Sequence, residues 1–244
     1  NMFSLYKKEL QSYFYSPLAY IISAIFLLIF SLSFIAWITN LTSLSLRFSF
    51  SAIFYSQFFY FIFLIPALTM KTFAEERRAG TEVLLMSTPL NVFKIVMGKF
   101  LAASTVYLLI MVLTFVYPII ALLYGNVVWS SLICGYIGFF VWGVACIAIG
   151  ILMSSFTENQ IIAAILGEAA MIFLLFIDSF NEIDLIKRTP VLSTIFSAIS
   201  PKARFADFAS GIFSLSDLIF YISFIAVILC FTMISIEKRR WSRG

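Results

Sequence analysis

Phe73-Ala-Glu-Glu-Arg-Arg-Ala-Gly80-Thr-Glu-Val-Leu-Leu-Met86 is a charged island that separates two long apolar segments of the chain. Apolar segments of about 20 residues are long enough to cross a bilayer as helices. Charged side chains are costly inside hydrocarbon, so we expect the island to lie in water beside the membrane. The contrast between the island and its flanks indicates a membrane protein in which two spans are joined by a charged segment in water.

The composition of the whole chain agrees with a membrane location. Hydrophobic residues make up 62% of it and charged residues 11%, and its mean hydropathy is +1.05. Such values are far from those of soluble domains. We therefore predict an all-α polytopic membrane protein with one transmembrane domain. The six predicted helices cover about 18–39, 51–70, 99–123, 130–153, 160–177 and 217–236, with an elbow over 71–98 and an external segment over 178–216.

Several classes of chemistry are disfavoured by the residue types. The chain has no histidine, the commonest general base and transition-metal ligand. Cys134, Cys146 and Cys230 lie in apolar segments without metal-ligand spacing, so we interpret them as packing residues. The basic residues are scattered between apolar segments, which favours membrane orientation over binding of nucleic acid. We predict no catalytic, metal or cofactor site in this chain.

The positions of the basic residues predict the orientation, because cytoplasmic loops carry an excess of Lys and Arg. An arrangement with both termini in the cytoplasm places most of the basic residues inside. They are Lys7, Lys8, Lys71, Arg77, Arg78, Lys94, Lys99, Lys238, Arg239, Arg240 and Arg243. We expect the protein to lie in the cytoplasmic (inner) membrane.

Two further segments have amphipathic patterns. Residues 3–15 mix aromatic and charged positions and end at Ser16-Pro17, as expected of a helix lying on the inner membrane surface. A frayed start to the first span is the alternative. Residues 178–216 are too long for a simple turn and predict short helices that dip into the outer leaflet. A plain external loop is the alternative for this segment.

The island itself predicts two short helices. Thr72 can cap the first, Glu75 and Arg78 have the spacing of neighbours on its surface, and Gly80 suits a left-handed residue at its end. Thr81 can cap the second, with Glu82 in its first turn.

An apolar knob follows in the second helix, formed by Val83, Leu84, Leu85 and Met86. Four consecutive apolar residues are unfavourable in water unless another surface covers them. Docking to a partner protein explains them. The alternative is a positive-inside loop whose leucines fold back onto the membrane interface.

The same residues carry a resemblance to a known family. Glu75-Glu-Arg-Arg-x-Gly80-Thr-Glu-x-Leu-Leu85, followed by Pro89 and by Lys94-x-x-x-Gly98-Lys99, resembles the cytoplasmic signature of the ABC type-2 permease family. Within that family the chain is most similar to the gliding-motility and nitrous-oxide-reductase-maturation permease subunits. Weaker likenesses occur at Ser155–Gln160 and at Ser200-Pro201.

The resemblance implies a six-helix subunit of an exporter that pairs with a second permease subunit, identical or different. A separate cytoplasmic ATP-binding subunit would bind ATP and magnesium. By resemblance, the coupling helix that docks on that subunit contains Thr81, Glu82, Val83, Leu84, Leu85 and Met86. Glu75, Glu76, Arg77, Arg78 and Gly80 would form the elbow and line the inner gate. A non-transporting anchor that transmits force within a larger envelope machine is the alternative function.

The chain lacks the phosphate-binding loop that an ATPase of this kind needs. Such a loop has Gly, four residues, then Gly-Lys-Ser/Thr. The single Gly-Lys pair, Gly98-Lys99, has Phe93 at the first glycine position and Phe100 at the hydroxyl position. The ATP-driven step therefore requires another chain.

Glu168 is a carboxylate near the middle of the fifth predicted span. A charged residue at this depth costs a few kcal/mol, so such residues usually face a partner or a water-filled path. We expect it to face inward. Its role is either in a pathway or gate, or as a protonated group hydrogen-bonded to a neighbouring helix.

Overall fold

A computed structural model describes residues 2–40, 47–82, 91–180 and 199–242. In chain order the helices are α1 (Met2–Tyr15), α2 (Pro17–Asn40), α3 (Ser51–Thr69), α4 (Lys71–Arg78), α5 (Val92–Leu113), α6 (Val116–Tyr124), α7 (Trp129–Ser154), α8 (Gln160–Phe180), α9 (Pro201–Ala209) and α10 (Leu215–Ser242). Six helical segments of the described residues are long and apolar enough to cross a membrane. The predicted all-α polytopic membrane fold is confirmed.

The third predicted span differs from the structure in two ways. The third span begins with α5 at Val92 instead of residue 99, so the predicted elbow over 71–98 is too long. Hydropathy missed this first part of α5 because it contains Lys94 and Lys99. The span also breaks at Thr114 and Phe115, where α6 takes over. At this break the Met111 carbonyl accepts from both the amide and the hydroxyl of Thr114, at 3.0 and 2.6 Å.

One short pair of strands was not predicted. The two-residue strand β1 (Arg47–Phe48) pairs in parallel with β2 (Asn126–Val127). This pair joins the connection before α3 to the connection before α7 and adds no layer to the fold.

The helix α7 is the centre of the bundle and contacts α3, α5, α8, α9 and α10. Its glycines allow large neighbours to approach closely. A Cβ atom built on Gly138 would lie 2.4 Å from the Phe208 side chain, and one built on Gly143 would lie 2.3 Å from the Tyr107 ring. The tyrosine hydroxyl donates to the Phe139 carbonyl at 2.8 Å, which fixes the ring in this position.

Replacing Gly143 with alanine is therefore expected to lower the free energy of unfolding in detergent by about 2 kcal/mol, because the new methyl group overlaps a fixed ring. Gly98→Ala is the matched control. Its Cβ would meet the flexible end of Leu5 at 3.2 Å, and we expect a change within about 0.5 kcal/mol. Equal melting temperatures for the two variants would contradict this description of the α5–α7 contact.

The segment between α8 and α10 contributes α9, a short helix that packs into the bundle. Ser200 caps it by accepting from the Ala203 amide at 3.4 Å. Phe205 and Phe208 are fully buried, and the Phe205 ring lies 4.9 Å from the ring of Phe58 in α3. A short helix was predicted within 178–216, and residues 181–198 of that segment lie outside the described part of the chain.

The N-terminal helix α1 packs along α5, as an amphipathic helix does when one stripe is covered. Leu5, Glu9 and Tyr13 form the buried stripe. Of the cysteines, Cys134 and Cys146 are buried and Cys230 is exposed. The packing role predicted for Cys230 is therefore wrong, because its position on α10 faces away from the bundle.

Candidate functional site

The elbow begins where α3 ends at Thr69 and continues through α4 to Arg78. Gly80 follows with φ +70°, the left-handed conformation that favours glycine at the end of a helix. The predicted role of Gly80 in ending the first short helix is confirmed. The turn brings the chain back on itself, so that residue 82 approaches the helix that has just ended.

The returning chain is held by a buried ion pair. The Arg77 guanidinium donates to both carboxylate oxygens of Glu82, at 3.2 and 3.3 Å. The same guanidinium donates to the carbonyl of Ser155, at the end of α7, at 2.7 Å. The two side chains are 2% and 7% exposed. Arg77 therefore fastens the elbow to the most buried helix of the bundle.

A second buried cation fastens the elbow to α1 and α5. The Lys99 ammonium lies 3.0 Å from a carboxylate oxygen of Glu9 and 3.0 Å from one of Glu76. It also donates to the Thr72 carbonyl at 2.8 Å. Its side chain is 1% exposed, so the charge depends on these partners. We call Lys99, Glu9 and Glu76 the ion triad.

The start of α4 is fixed to the end of α7 by the hydroxyl of Ser154. That hydroxyl accepts from the amides of Phe73 and Ala74, at 3.0 and 3.1 Å. It donates to the Met70 carbonyl at 2.9 Å. Backbone groups freed at the junction of α3 and α4 are satisfied in this way.

A pocket of about 150 Å³ opens beside the ion triad, between α1, α4 and α5. Tyr13 lines it, and its hydroxyl lies 3.3 Å from the hydroxyl of Thr72. Burial raises the pKa of Tyr13 to about 12; the hydrogen bond to Thr72 lowers it and the Glu9 charge raises it further. Tyr13 therefore keeps its proton at neutral pH.

The structure divides the residues that were predicted to form the elbow. Glu76 and Arg77 are held in ion pairs, whereas Glu75 and Arg78 are exposed and do not pair with each other or with another described residue. Glu75 and Arg78 therefore lie on the helix surface, as their spacing predicts, without forming an ion pair with each other.

The threonines and Glu82 also differ in part from their predicted roles. Thr72 does not cap α4, because it lies inside the helix and its hydroxyl donates to the Thr69 carbonyl at 2.7 Å. Thr81 is exposed and donates to the Glu76 carbonyl at 3.2 Å. Glu82, predicted to dock on a partner, is buried against Arg77.

The predicted docking knob, Val83, Leu84, Leu85 and Met86, lies outside the described residues. Glu168 in α8 is described, and it is partly buried. It makes no hydrogen bond or ion pair with another described residue. The adjacent Gly167 packs on Pro66 of α3, where a built Cβ would lie 3.0 Å from the proline. Glu168 is therefore at the edge of the buried face of α8 and does not point fully inward.

The ion triad was missed by sequence reasoning, which treated Lys99 only as a cytoplasmic positive charge. One signal was present in α1. Leu5, Glu9 and Tyr13 are spaced by four residues and lie on one helical face. A carboxylate on the buried stripe of an amphipathic helix requires a positively charged partner, and Lys99 is that partner for Glu9.

Comparison with known proteins adds no assignment. No protein-family model matches the sequence, and no curated protein matches it. The resemblance to ABC type-2 permeases therefore stays a prediction. Among the described residues no group of histidine, cysteine and carboxylate side chains is arranged to hold a metal ion.

Proposed function

We propose that this chain is the permease subunit of an ABC transporter, which couples ATP hydrolysis by a separate cytoplasmic subunit to export or conformational work. In this proposal the chain lies in the inner membrane with both termini and the elbow in the cytoplasm. A second permease subunit completes the membrane part.

The observation that carries the proposal is the attachment of the elbow to three other elements. Lys99 connects α4 to α1 and α5, and Arg77 connects the end of the elbow to α7. Breaking a buried ion pair costs about 3 kcal/mol. A force on the elbow would therefore move α1, α5 and α7 together, as rigid-body transitions require.

The motor in this mechanism is the partner subunit. Binding of ATP draws two ATP-binding subunits together. Each of them moves the coupling helix that is docked on it, and the membrane spans attached to that helix tilt. The residues of this chain transmit the movement: Arg77 and Lys99 hold the elbow rigid, and the knob at Val83–Met86 supplies the docking surface. Glu82 contributes inside the elbow by pairing with Arg77.

The proposal is tested by co-expressing the tagged chain with the ATP-binding subunits of its own genome. One of them is expected to co-purify in stoichiometric amount, and its ATP hydrolysis is expected to change at least severalfold in lipid vesicles that contain the chain. Absence of both effects with every candidate subunit would contradict the proposal.

An anchor that transmits force without moving a substrate is the second candidate. It is favoured by the filled interior of the subunit, where Phe58 stacks on Trp142 at 4.5 Å and also contacts Phe205. A transport path would have to run along the face that meets the second permease subunit. Glu168, at the edge of the buried face of α8, is our candidate for a residue on such a path.

Labelling of a Glu168→Cys variant distinguishes the two candidates. With the native cysteines replaced by serine, a transporter is expected to expose the introduced thiol to a charged, water-soluble thiol reagent. The matched control keeps only Cys230, which is exposed on the outer face of a spanning helix. Labelling of the Glu168→Cys protein at least tenfold faster than the control supports a water-filled path, and equally slow labelling supports the anchor.

A further inference from the structure

A groove of about 510 Å³ lies between the end of α7 and the end of α10, and it shares no lining residue with the pocket beside the ion triad. Its α10 wall is a stripe that runs from Phe231 through Ile234 and Ser235 to Lys238. These positions are spaced three and four residues apart, so they share one helical face. The seven steps along the helix from Phe231 to Lys238 make the stripe about 10 Å long.

The groove is apolar along most of its length and basic at one end. Phe231 is 55% exposed, Ile234 60% and Phe156 49%, so large apolar surfaces face outward without being covered by the described residues. Lys238 and Arg239 line the end where α10 leaves the membrane. The neighbouring carboxylate, Glu237, is exposed and does not line the groove.

Contacts across the base of the groove hold its two walls together. The Ser155 hydroxyl donates to the Ser235 hydroxyl at 3.3 Å. Nearer the membrane surface, the Arg239 guanidinium donates to the Phe156 carbonyl at 3.1 Å. The two hydrogen bonds thus hold the end of α7 against α10, and the Lys238 ammonium lies at the rim of the groove.

We infer that this groove binds an anionic phospholipid, with an acyl chain along Phe231, Ile234 and Phe156 and the phosphate at Lys238. Charge complementarity selects this occupant: an apolar groove that ends in two basic side chains at the membrane surface matches a lipid with a negative headgroup. A lipid without net negative charge would fill the apolar part equally well but would be attracted less strongly by the basic rim. The inference is independent of the proposed transport function.

The test uses the purified full chain in phosphatidylcholine nanodiscs with a photoreactive phosphatidylglycerol at low mole fraction. Peptides containing Phe156 and residues 231–235 are expected to be labelled at least fivefold more than with the phosphatidylcholine analogue, since each basic residue favours the anionic lipid by about that factor. Lys238→Ala is expected to lower the phosphatidylglycerol labelling about fivefold.

Lys94→Ala is the matched control, because Lys94 is also exposed at this end of the bundle but does not line the groove. It is expected to leave labelling unchanged, and both variants are first checked for unchanged elution and melting. Equal labelling by the two lipids would overturn the inference. Competition by glycerol phosphate would overturn the choice of a lipid, and cross-links between two copies at these peptides would assign the groove to a second copy instead.

Discussion

Replacing Lys99 with methionine is expected to lower the free energy of unfolding by about 3 kcal/mol. The substitution keeps most of the side-chain volume but removes the ammonium from between Glu9 and Glu76. Two carboxylates then remain in a region with little access to water, and the Thr72 carbonyl loses its hydrogen bond from Lys99. Denaturant unfolding of the purified protein in mixed micelles measures the loss.

Two controls separate the ion triad from a general effect of losing a charge. Lys94→Met removes an exposed lysine from the same helix and is expected to change stability by less than about 0.5 kcal/mol. Adding Glu9→Gln and Glu76→Gln to Lys99→Met removes the unmatched carboxylates and is expected to restore more than half of the loss. If Lys99→Met costs no more than Lys94→Met, the ion triad does not hold the elbow.

The second large effect is expected at Arg77. Arg77→Leu should cost about 3 kcal/mol, because it takes the guanidinium away from the buried Glu82 and from the Ser155 carbonyl. Arg77→Lys keeps the charge but cannot reproduce the two-pronged contact, so we expect a smaller loss. Thermal unfolding in detergent, followed by size-exclusion chromatography, ranks these variants.

The adjacent arginine provides the control for Arg77. Arg78 is exposed, and Arg78→Leu is expected to leave the melting temperature nearly unchanged. Comparable destabilisation by Arg77→Leu and Arg78→Leu would show that position in the elbow, and not the pairing with Glu82, determines the effect.

Hydropathy predicted the spanning helices because the free energy of transferring a helix from water to hydrocarbon is a sum over that helix's own residues. The same local summation misplaced the start of α5, since Lys94 and Lys99 reduce the apparent hydropathy of its first turns. Gly80 was predictable for a local reason, as its left-handed backbone conformation is a property of one residue and its two neighbours.

The contacts that build the candidate site were not predictable in this way. Glu9 and Lys99 meet across 90 positions of the sequence, and Arg77 finds the Ser155 carbonyl across 78. Such partners are set by how α1, α5 and α7 pack. From the sequence, Arg77 and Arg78 were two equivalent basic residues of the elbow. In the packed structure Arg77 is buried and Arg78 is exposed.

The most direct test of the central claim is co-purification of the ATP-binding subunit with a Leu84→Asp/Leu85→Asp variant. We expect this variant to insert and elute like the unmodified chain but to lose the partner subunit, because charged side chains cannot enter an apolar docking groove. Phe3→Asp, at a 72% exposed position of α1, should retain the partner. Retention of the partner by the double variant would contradict the docking role of the knob at Val83–Met86.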